Sequence, residues 1–391
     1  KERIMSKYAE HHEDLKLVQK KAKQFADMLR ASKHSVAYTG AGISTSANVP
    51  DYRGPTGIWT QKEQGIKPKL EGFMDEACPT FGHMALMEML KPNHLSHIVS
   101  TNVDCLHLRS GAPRSKVSEI HGNVFKEVCA DCGAEYFRHF DVLGRVKNRQ
   151  TGRLCEKRGC KGVLKDCIIN FGEFLSSTEH SNAVKNSKKA DLAIVMGTSM
   201  RVSSAAEYPL AVAKRGGKLV IINLQKTPYD KKATLRVWAK TDVFLEMVSK
   251  ELGIDVPAYD MSKDPILSVP KETKTLKIKK LWKGVTKEDV KDTFSKHGKV
   301  KHVYYYDSYA YVVFDKVESA VSALASINEG ADKLKNVVAD YACGIVNPDF
   351  ERMKQTVSTV SGSSMADDEP PPPALLAEVL TKFNKVLKPA N

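Results

Sequence analysis

Short apolar runs separated by amphipathic stretches dominate the first 260 residues of the chain. Runs without polar alternation suit strands buried on both faces of a parallel sheet. Four such runs are Val36–Tyr38, His97–Ser100, Leu192–Met196 and Leu219–Asn223. Helical spacing of apolar residues predicts helices at Glu13–Ser32, Thr80–Leu90 and Ala205–Lys214. The alternation predicts an α/β fold, an open parallel sheet that binds ligands at the carboxyl ends of its strands.

The apolar face of the first predicted helix consists of Leu17, Ala22, Phe25, Met28 and Leu29. After Tyr259 the pattern changes, and residues 261–274, with prolines and mixed charge, are interpreted as a linker. A second domain, residues 275–342, has the order β-α-β-β-α-β and is predicted to be α+β and ferredoxin-like. Its predicted strands and helices are Leu276–Leu281, Thr286–Ser295, His302–Tyr306, Tyr309–Phe314 and Glu318–Ile327.

Residues 343–391 are predicted to be a disordered tail that contains one short helix. Serines, aspartates and the four prolines 370–373 argue against a packed core. Leu376, Leu380, Phe383 and Leu387 then recur at helical spacing. This apolar stripe either packs back on the protein or binds a partner.

The chain is basic, with a formal net charge of +14 and a pI near 9.2. This charge predicts an anionic partner, although a well-solvated basic surface would also explain it. No run of 18 apolar residues occurs, so we expect no membrane span.

Four cysteines have the spacing of a zinc ribbon. Cys129 and Cys132 form C-x2-C, and after 22 residues Cys155 and Cys160 form C-x4-C. The pattern predicts one structural Zn²⁺ with four thiolate ligands, held in an insert of about residues 124–167. The other cysteines are scattered, as in a reducing interior.

The stretch Gly40–Trp59, GAGISTSANVPDYRGPTGIW, follows the first predicted strand. Gly40 and Gly42 allow a tight turn and close approach of a ligand. Ser44 and Thr45 suit the start of a helix whose free amides face a diphosphate. Thr45 replaces the third glycine of the usual dinucleotide motif, so the spacing alone is weak evidence. The rigid loop Pro50–Pro55 adds an acid, an aromatic ring and an arginine.

This stretch closely resembles the cofactor loop of sirtuins, the NAD-dependent protein lysine deacylases, and ISTSANVPDYRGPTGIW looks most like their class IV. The resemblance covers residues 13–260 and implies a Rossmann-like domain with a zinc-ribbon module. Two residues depart from the family pattern: Asn48 replaces Gly and Tyr52 replaces Phe.

By resemblance, His121 in EIHGN is the general base of the reaction. An imidazole suits that role because its pKa lies near working pH. The acyl oxygen attacks the ribose carbon as nicotinamide leaves, and His121 then deprotonates the attacking ribose hydroxyl.

Asn102 and Asp104 in TNVD resemble the catalytic stretch that holds the nicotinamide carboxamide and a water. The alternative is a turn stabilised by Asn and Asp. Thr101 replaces the family's Gln and Cys105 its Gly, which puts turnover in question.

The resemblance assigns two further groups of residues. The cofactor-binding residues are Gly40, Ala41, Gly42, Thr45, Asp51, Tyr52, Arg53, Trp59, Thr101, Asn102, Asp104, Gly197, Thr198, Ser199, Asn223, Leu224, Gln225 and Thr241. Phe171, Gly172 and Glu173 resemble the segment that lines the acyl-lysine tunnel and pairs with the substrate backbone.

In the second domain, DSYAYVVF resembles the central strand of an RNA-recognition motif. Tyr309 and Tyr311 hold its exposed, base-stacking positions, whereas Phe314 faces inward. Lys277 replaces the first-strand aromatic, and lysines on this edge could contact phosphates of single-stranded RNA. The alternative is a ferredoxin-like domain that packs on protein.

The sequence therefore predicts an NAD-dependent protein-lysine deacylase that releases nicotinamide and O-acyl-ADP-ribose. Its expected cofactors are NAD and one Zn²⁺, and its expected substrates are nuclear or chromatin proteins, histones among them. We expect it in the nucleus or nucleolus, with the cytoplasm as the alternative. The alternative functions are protein mono-ADP-ribosyl transfer and a weakly active NAD-binding scaffold tethered to RNA.

Overall fold

A computed structural model describes residues 9–68, 74, 77–138, 141–142, 149–155, 157–266, 275–279, 281, 284–306, 309–328 and 338–341. The tail predicted for residues 343–391 and its helix lie outside these residues. The chain divides into two compact units, residues 1–124 with 168–267, and residues 125–167 with 268–391.

The first unit is built on a parallel sheet of six strands. In chain order its elements are α1 Leu15–Ala31, β1 Ser35–Thr39, α2 Ile58–Glu63, α3 Phe81–Leu90, β2 His97–Ser100, α4 Leu106–Arg109 and β3 Val117–Glu119. The second unit's insert contributes β4 Lys126–Cys129, β5 Glu135–Phe137, β6 Gln150–Leu154 and β7 Val163–Asp166. The first unit then continues with α5 Ser177–Lys189, β8 Leu192–Met196, α6 Ser203–Lys214, β9 Lys218–Ile222, β10 Leu235–Val237 and α7 Thr241–Leu252.

The strand order of this sheet is β10-β9-β8-β1-β2-β3, and each neighbouring pair is parallel. The order reverses between β1 and β8, the position at which open α/β sheets form a ligand crevice. Every residue of β1, β2 and β8 is buried, which explains why these strands appear in the sequence as continuous apolar runs. The predicted Rossmann-like sheet is confirmed.

Helix α1 begins after Asp14, whose carboxylate accepts a hydrogen bond from the Lys16 amide, as an N-cap does. The predicted apolar face is wrong at one position. Leu17 is 43% exposed, whereas Val18 is buried, because the helix turns its i, i+4 row of Val18 and Ala22 to the core.

The start of the cofactor loop also differs from the prediction. Ser44 and Thr45 begin no long helix; residues Ala41–Ile43 and Thr45–Ala47 form two short 3-10 turns. The second turn ends at Asn48, with φ of 60°. Asn tolerates this left-handed conformation better than most residues with a side chain, which explains how it can replace Gly here.

A buried ion pair lies at the start of the segment 261–274, which the sequence interpretation assigned to a linker. The Arg109 Nε donates to the Asp264 Oδ2 over 2.9 Å, and the Asp264 side chain is 0% exposed. The Tyr259 hydroxyl donates to the same oxygen over 2.6 Å, and the Arg109 Nη1 donates to the Ala77 carbonyl. The Asp264 side chain is therefore buried within this unit and anchors the segment that follows Tyr259.

We expect Asp264→Asn to lower the free energy of unfolding by about 3–5 kcal/mol, because it leaves the buried Arg109 charge without its counter-ion. Urea unfolding of the full chain measures this loss. The matched control is Asp260→Asn, since Asp260 is exposed and should change little. Equal stability of the two variants would show that the pair contributes only packing.

The second unit contains two sheets of four strands. The insert has the order β5-β4-β7-β6, with each neighbouring pair antiparallel. The C-terminal part comprises β11 Thr275–Lys279, α8 Lys287–Ser295, β12 Val300–Tyr306, β13 Tyr309–Phe314, α9 Val317–Asn328 and β14 Val338–Tyr341. Its sheet order is β12-β13-β11-β14, which confirms the predicted ferredoxin-like arrangement.

Candidate functional site

The predicted site residues of the first unit lie mainly at one edge of the parallel sheet, where its strands end. Gly40 follows β1, Thr101 follows β2 and Gly197 follows β8. His121 comes two residues after β3, and Asn223 directly follows β9. Backbone hydrogen bonds continue from strand to strand past these ends, for example from the Thr101 amide to the Thr39 carbonyl over 3.0 Å. The edge is therefore held in register at the point where the side chains converge.

Three glycines allow the loops after β1 and β8 to touch. A Cβ added to Gly40 would lie 2.6 Å from the Thr198 Cβ, and one added to Gly42 would lie 2.8 Å from the Gly197 Cα. Gly197 has φ of 60°, and its carbonyl accepts the Gly42 amide over 2.8 Å. The glycine spacing thus permits loop-to-loop contact at the crevice.

The loop from Asp51 to Trp59 is closed on itself by hydrogen bonds. The Gly54 amide donates to the Asp51 carboxylate over 3.0 Å, and the Trp59 amide donates to the Tyr52 carbonyl over 2.8 Å. Burial raises the pKa of the Asp51 carboxyl. Although Tyr52 is 39% exposed, burial of its hydroxyl raises the pKa of that group, and the charge of Asp104 acts in the same direction.

Ser44 connects the segment after β1 to the two polar residues after β2. Its hydroxyl donates to the Asp104 Oδ2 over 2.7 Å and accepts from the Asn102 Nδ2 over 3.2 Å. The Asn102 Oδ1 is buried and has no hydrogen-bond partner. A buried amide oxygen without a donor is costly, so this atom fits a ligand that brings an N–H group.

Asp104 and Cys105 occupy a tightly constrained turn. Burial raises the pKa of the Asp104 carboxyl, against the hydrogen bonds from Ser44 and Leu106. Cys105, which replaces the family's Gly, has φ of 65° and is 2% exposed. A residue with a Cβ in this conformation costs about 1–2 kcal/mol. Cys105 therefore adds strain next to Asp104.

His121 is half-buried beside the residues after β2. Burial lowers the pKa of its imidazole, although a hydrogen bond to the Thr101 backbone acts against that shift. The His121 carbonyl accepts the Ile169 amide over 3.0 Å, which ties this residue to the segment before Phe171. A neutral imidazole at this edge can accept a proton near pH 7.

Phe171, Gly172 and Glu173 form an exposed turn just beyond that hydrogen bond. The Asn170 amide donates to the Glu173 Oε2 over 2.8 Å, and the Glu173 amide donates back to the Asn170 carbonyl over 3.1 Å. Gly172 has φ of 85°, a conformation that favours glycine.

The residues after β9 are fixed by an arginine that the sequence interpretation missed. The Arg236 guanidinium donates to the carbonyls of Asn223 and Gln225, over 2.9 and 2.8 Å. The Gln225 side chain in turn donates to the Arg53 carbonyl. Arg236 belongs to the short strand β10, and nothing in its local sequence indicates this role.

Thr241 is buried at the start of α7, and its neighbour Asp242 links two other elements. The Asp242 carboxylate accepts the Ser46 hydroxyl over 2.6 Å and the Gly82 amide over 2.8 Å. The sequence interpretation assigned Thr241 to cofactor binding. Its neighbour Asp242 supports the segment after β1 through Ser46.

The four cysteines of the zinc-ribbon pattern lie together in the insert. All four Sγ atoms are within 4.8 Å of one another, and the Cys129–Cys160 and Cys132–Cys155 pairs are 3.7 and 3.6 Å apart. Tetrahedral Zn²⁺ with Zn–S bonds of about 2.3 Å needs sulfur atoms at about this separation. A Cβ at Gly162 would lie 2.5 Å from the Cys129 Sγ, so the backbone also makes room for the thiol cluster. The donor set fits a structural Zn²⁺, with no position left for water.

The tyrosines of β13 share one face of the C-terminal sheet, with their ring centroids 5.8 Å apart. Tyr309 is half-buried, but Tyr311 is only 5% exposed, so the prediction that both rings project into solvent is wrong for Tyr311. The two rings pack in a T-shaped arrangement, and this contact contributes to the burial of Tyr311. Lys277 is the register partner of Tyr311 on β11, and Phe314 faces the core as predicted.

Comparison with known proteins gives two family matches. The Sir2 family model matches residues 65–204, and the RNA recognition motif model matches residues 276–337. The described part of the chain contains no helix that is long and apolar enough to cross a membrane.

Curated relatives are similar to the first two-thirds of the chain. The NAD-dependent protein deacetylase SRT1 of Arabidopsis thaliana is 43% identical over 252 residues, 64% of this chain and 53% of that protein. The NAD-dependent protein deacetylase Sirt6 of Drosophila melanogaster is 38% identical over 256 residues, 64% of this chain and 80% of that protein. The chain spans about half the length of the plant relatives that it matches. A solved structure of Sir2 with a p53 peptide and NAD+ is 34% identical, has a TM-score of 0.48 and covers 60% of this chain and 99% of its own.

Proposed function

The chain belongs to the sirtuin (Sir2) family, and from that premise we propose that it is an NAD-dependent protein-lysine deacylase. Its products would be nicotinamide and O-acyl-ADP-ribose. The observation that carries the proposal is the position of His121 next to Thr101, at the strand ends that also carry the unsatisfied Asn102 amide oxygen.

The residues at the strand ends fit NAD. The Asn102 Oδ1 accepts an N–H of the nicotinamide carboxamide, and Ser44 holds Asn102 and Asp104 in position for it. The loop Asp51–Trp59 and the residues after β8 and β9 bind the remainder of the dinucleotide. When bound, NAD supplies a ribose carbon that accepts the acyl oxygen and a nicotinamide leaving group.

The chain's own contribution to the chemistry is positioning and proton transfer. His121 accepts a proton from a ribose hydroxyl, which requires the neutral imidazole that its burial favours. The turn Phe171–Glu173 pairs with the backbone of an acyl-lysine peptide. Because backbone pairing is insensitive to sequence, we expect a broad range of protein substrates, with histones among the candidates.

The decisive experiment is a panel of acyl-lysine peptides incubated with the full chain and NAD. Nicotinamide release that depends on the acyl peptide supports deacylation. Release without a peptide, with labelled ADP-ribose retained on protein, indicates ADP-ribosyl transfer instead. NAD binding without release indicates a scaffold, the outcome that strain at Cys105 would favour.

We further propose that this protein is a class IV sirtuin that acts in the nucleus. The amino-acid sequence of the loop Ile43–Trp59 supports the class, and the net charge of +14 supports polyanionic surroundings. Fluorescence imaging of the tagged full-length protein would test the location.

A second proposed activity is binding of single-stranded RNA by the C-terminal sheet. The match to the RNA recognition motif and the half-buried Tyr309 on its face support it. Tyr311 on β13 and Lys277 on β11 are register partners next to it, and a lysine at this position adds a salt-dependent contribution to the affinity for RNA.

We expect Tyr309→Ala to weaken binding of a single-stranded RNA by about 1–3 kcal/mol, the usual contribution of one stacked base. The loss should be similar at low and high salt, because stacking involves no counter-ion release. Tyr309→Phe keeps the ring and is the matched control. Titration of the full chain measures both. Equal affinity of the Ala and Phe variants would show that RNA does not stack there.

A further inference from the structure

The edge of the parallel sheet opposite the candidate active site carries a row of lysines. Lys218 is the first residue of β9, Lys116 directly precedes β3, Lys33 lies two residues before β1, and Lys189 lies three residues before β8. We call these four residues the basic edge. All strands of this sheet are parallel, so all of them begin at this edge and their carboxyl ends lie at the other.

The basic edge spans five neighbouring strands in the order β9-β8-β1-β2-β3, with one lysine at or just before the start of each strand except β2. Adjacent strands are about 4.8 Å apart, so the row extends over about 19 Å. The positive charges are close enough to act on the two histidines among them. Burial is the main cause that lowers the pKa of His97 to about 4, and Lys116 acts in the same direction. Burial also lowers the pKa of His34, with Lys189 and Lys116 among the contributing charges.

An acid of this region is already engaged. Asp191 accepts hydrogen bonds from the Ser32 hydroxyl and from the amides of Lys33 and His34. Within the described residues, none of the four lysines has a carboxylate in ion-pair distance.

Helix dipoles explain only part of the row. Lys189 lies in the last turn of α5, where a cation is favourable in any case. Lys33 directly follows the C-cap of α1, so the dipole favours it as well, whereas Lys116 and Lys218 belong to no α-helix and need another explanation. Three of the four lysines are exposed and Lys116 is half-buried, which leaves their charges available to a partner.

We propose that the basic edge binds the phosphate backbone of duplex DNA. A duplex presents one negative charge per about 1.7 Å of its axis, so about 19 Å offers phosphates to all four lysines. Among the described residues, none of the exposed large hydrophobic side chains belongs to this edge; they are Leu15, Leu17, Tyr52, Ile66, Phe171, Phe174 and Met261. Without large apolar side chains to enter lipid, the edge suits contacts to backbone phosphates, which are independent of sequence.

The test compares two variants of the full chain that have the same net charge. One carries Lys33→Gln, Lys116→Gln, Lys189→Gln and Lys218→Gln. The control carries Lys16→Gln, Lys20→Gln, Lys23→Gln and Lys240→Gln, which are exposed lysines outside the basic edge. Affinity for a labelled 20-base-pair duplex of arbitrary sequence is measured between about 50 and 200 mM salt, the range over which phosphate contacts dominate the salt dependence.

We expect the basic-edge variant to lose at least about tenfold in affinity at the lower salt. The slope of log affinity against log salt concentration should become shallower by up to about 3.6, or about 0.9 per lysine. The control should stay near wild type. Equal weakening of both variants, or no duplex binding by wild type, would overturn the proposal. So would loss of binding to anionic lipid vesicles with duplex binding intact, because the partner would then be a membrane. Thermal unfolding checks that both variants are folded. The readout is duplex affinity, so the result does not depend on the proposed deacylation.

Discussion

A folded His121→Tyr protein is expected to lose deacylation by about 10²–10⁴-fold, the usual contribution of one general base. The tyrosine ring fills the space of the imidazole, but a phenol with a pKa near 10 stays protonated at pH 7 and accepts no proton. Nicotinamide release from NAD in the presence of the best acyl peptide measures the loss.

The matched control for this variant is His12→Tyr, since the His12 side chain is 57% exposed. It should keep wild-type activity. Wild-type activity in a folded His121→Tyr protein would rule out His121 as the base.

The pH dependence of the wild-type protein provides a second check on His121. Its pKa is below the ordinary value of 6.5 because of burial, so the imidazole is already neutral at pH 7. Activity should therefore fall only on the acidic side of 6.5, as the ring becomes protonated. An acidic limb above pH 7 would indicate a different titrating group.

Loss of the metal is the second large expected effect. A structural Zn²⁺ with four thiolates contributes on the order of 10 kcal/mol to the folding of small zinc domains. The insert that carries the four cysteines has the sheet β5-β4-β7-β6 and only a small core around Cys129, Cys155 and Leu164. We therefore expect Cys129→Ala with Cys155→Ala to unfold the insert. Elemental analysis should find one zinc per wild-type chain and none in the double variant.

Limited proteolysis localises this effect, because the unfolded insert should be cut between residues 124 and 167. Cys78→Ala, at a cysteine outside the cluster, is the control and should retain its zinc. Retention of full zinc and stability by the double variant would disprove the site.

Much of the fold was predictable because its signals are local. Strands β2 and β8 coincide with the predicted runs His97–Ser100 and Leu192–Met196, since a strand buried on both faces is a continuous apolar segment. Helix α8 begins where the sequence places it, because Thr286 and Asp289 form a capping box. The order of elements after residue 275 determined the ferredoxin-like topology in the same way.

The candidate site was predictable only in part. The sequence motifs identify the Asn102, Asp104 and His121 positions, but not Ser44 as the hydroxyl that bonds to two of them. Arg236 and Asp242 were missed as supports because their partners lie in other segments of the chain. The burial of Tyr311 follows from packing on the sheet face, which alternation along one strand does not reveal.

The sequence by itself determined the elements, the four thiol ligands and the family, because each depends on residues within a short segment or on a motif. Only the tertiary structure decided which side chains meet. Arg109 and Asp264 are 155 residues apart, and Gly42 meets Gly197 across two loops. Such pairs form when the chain folds back on itself, and neither residue of a pair carries a local signal of its partner.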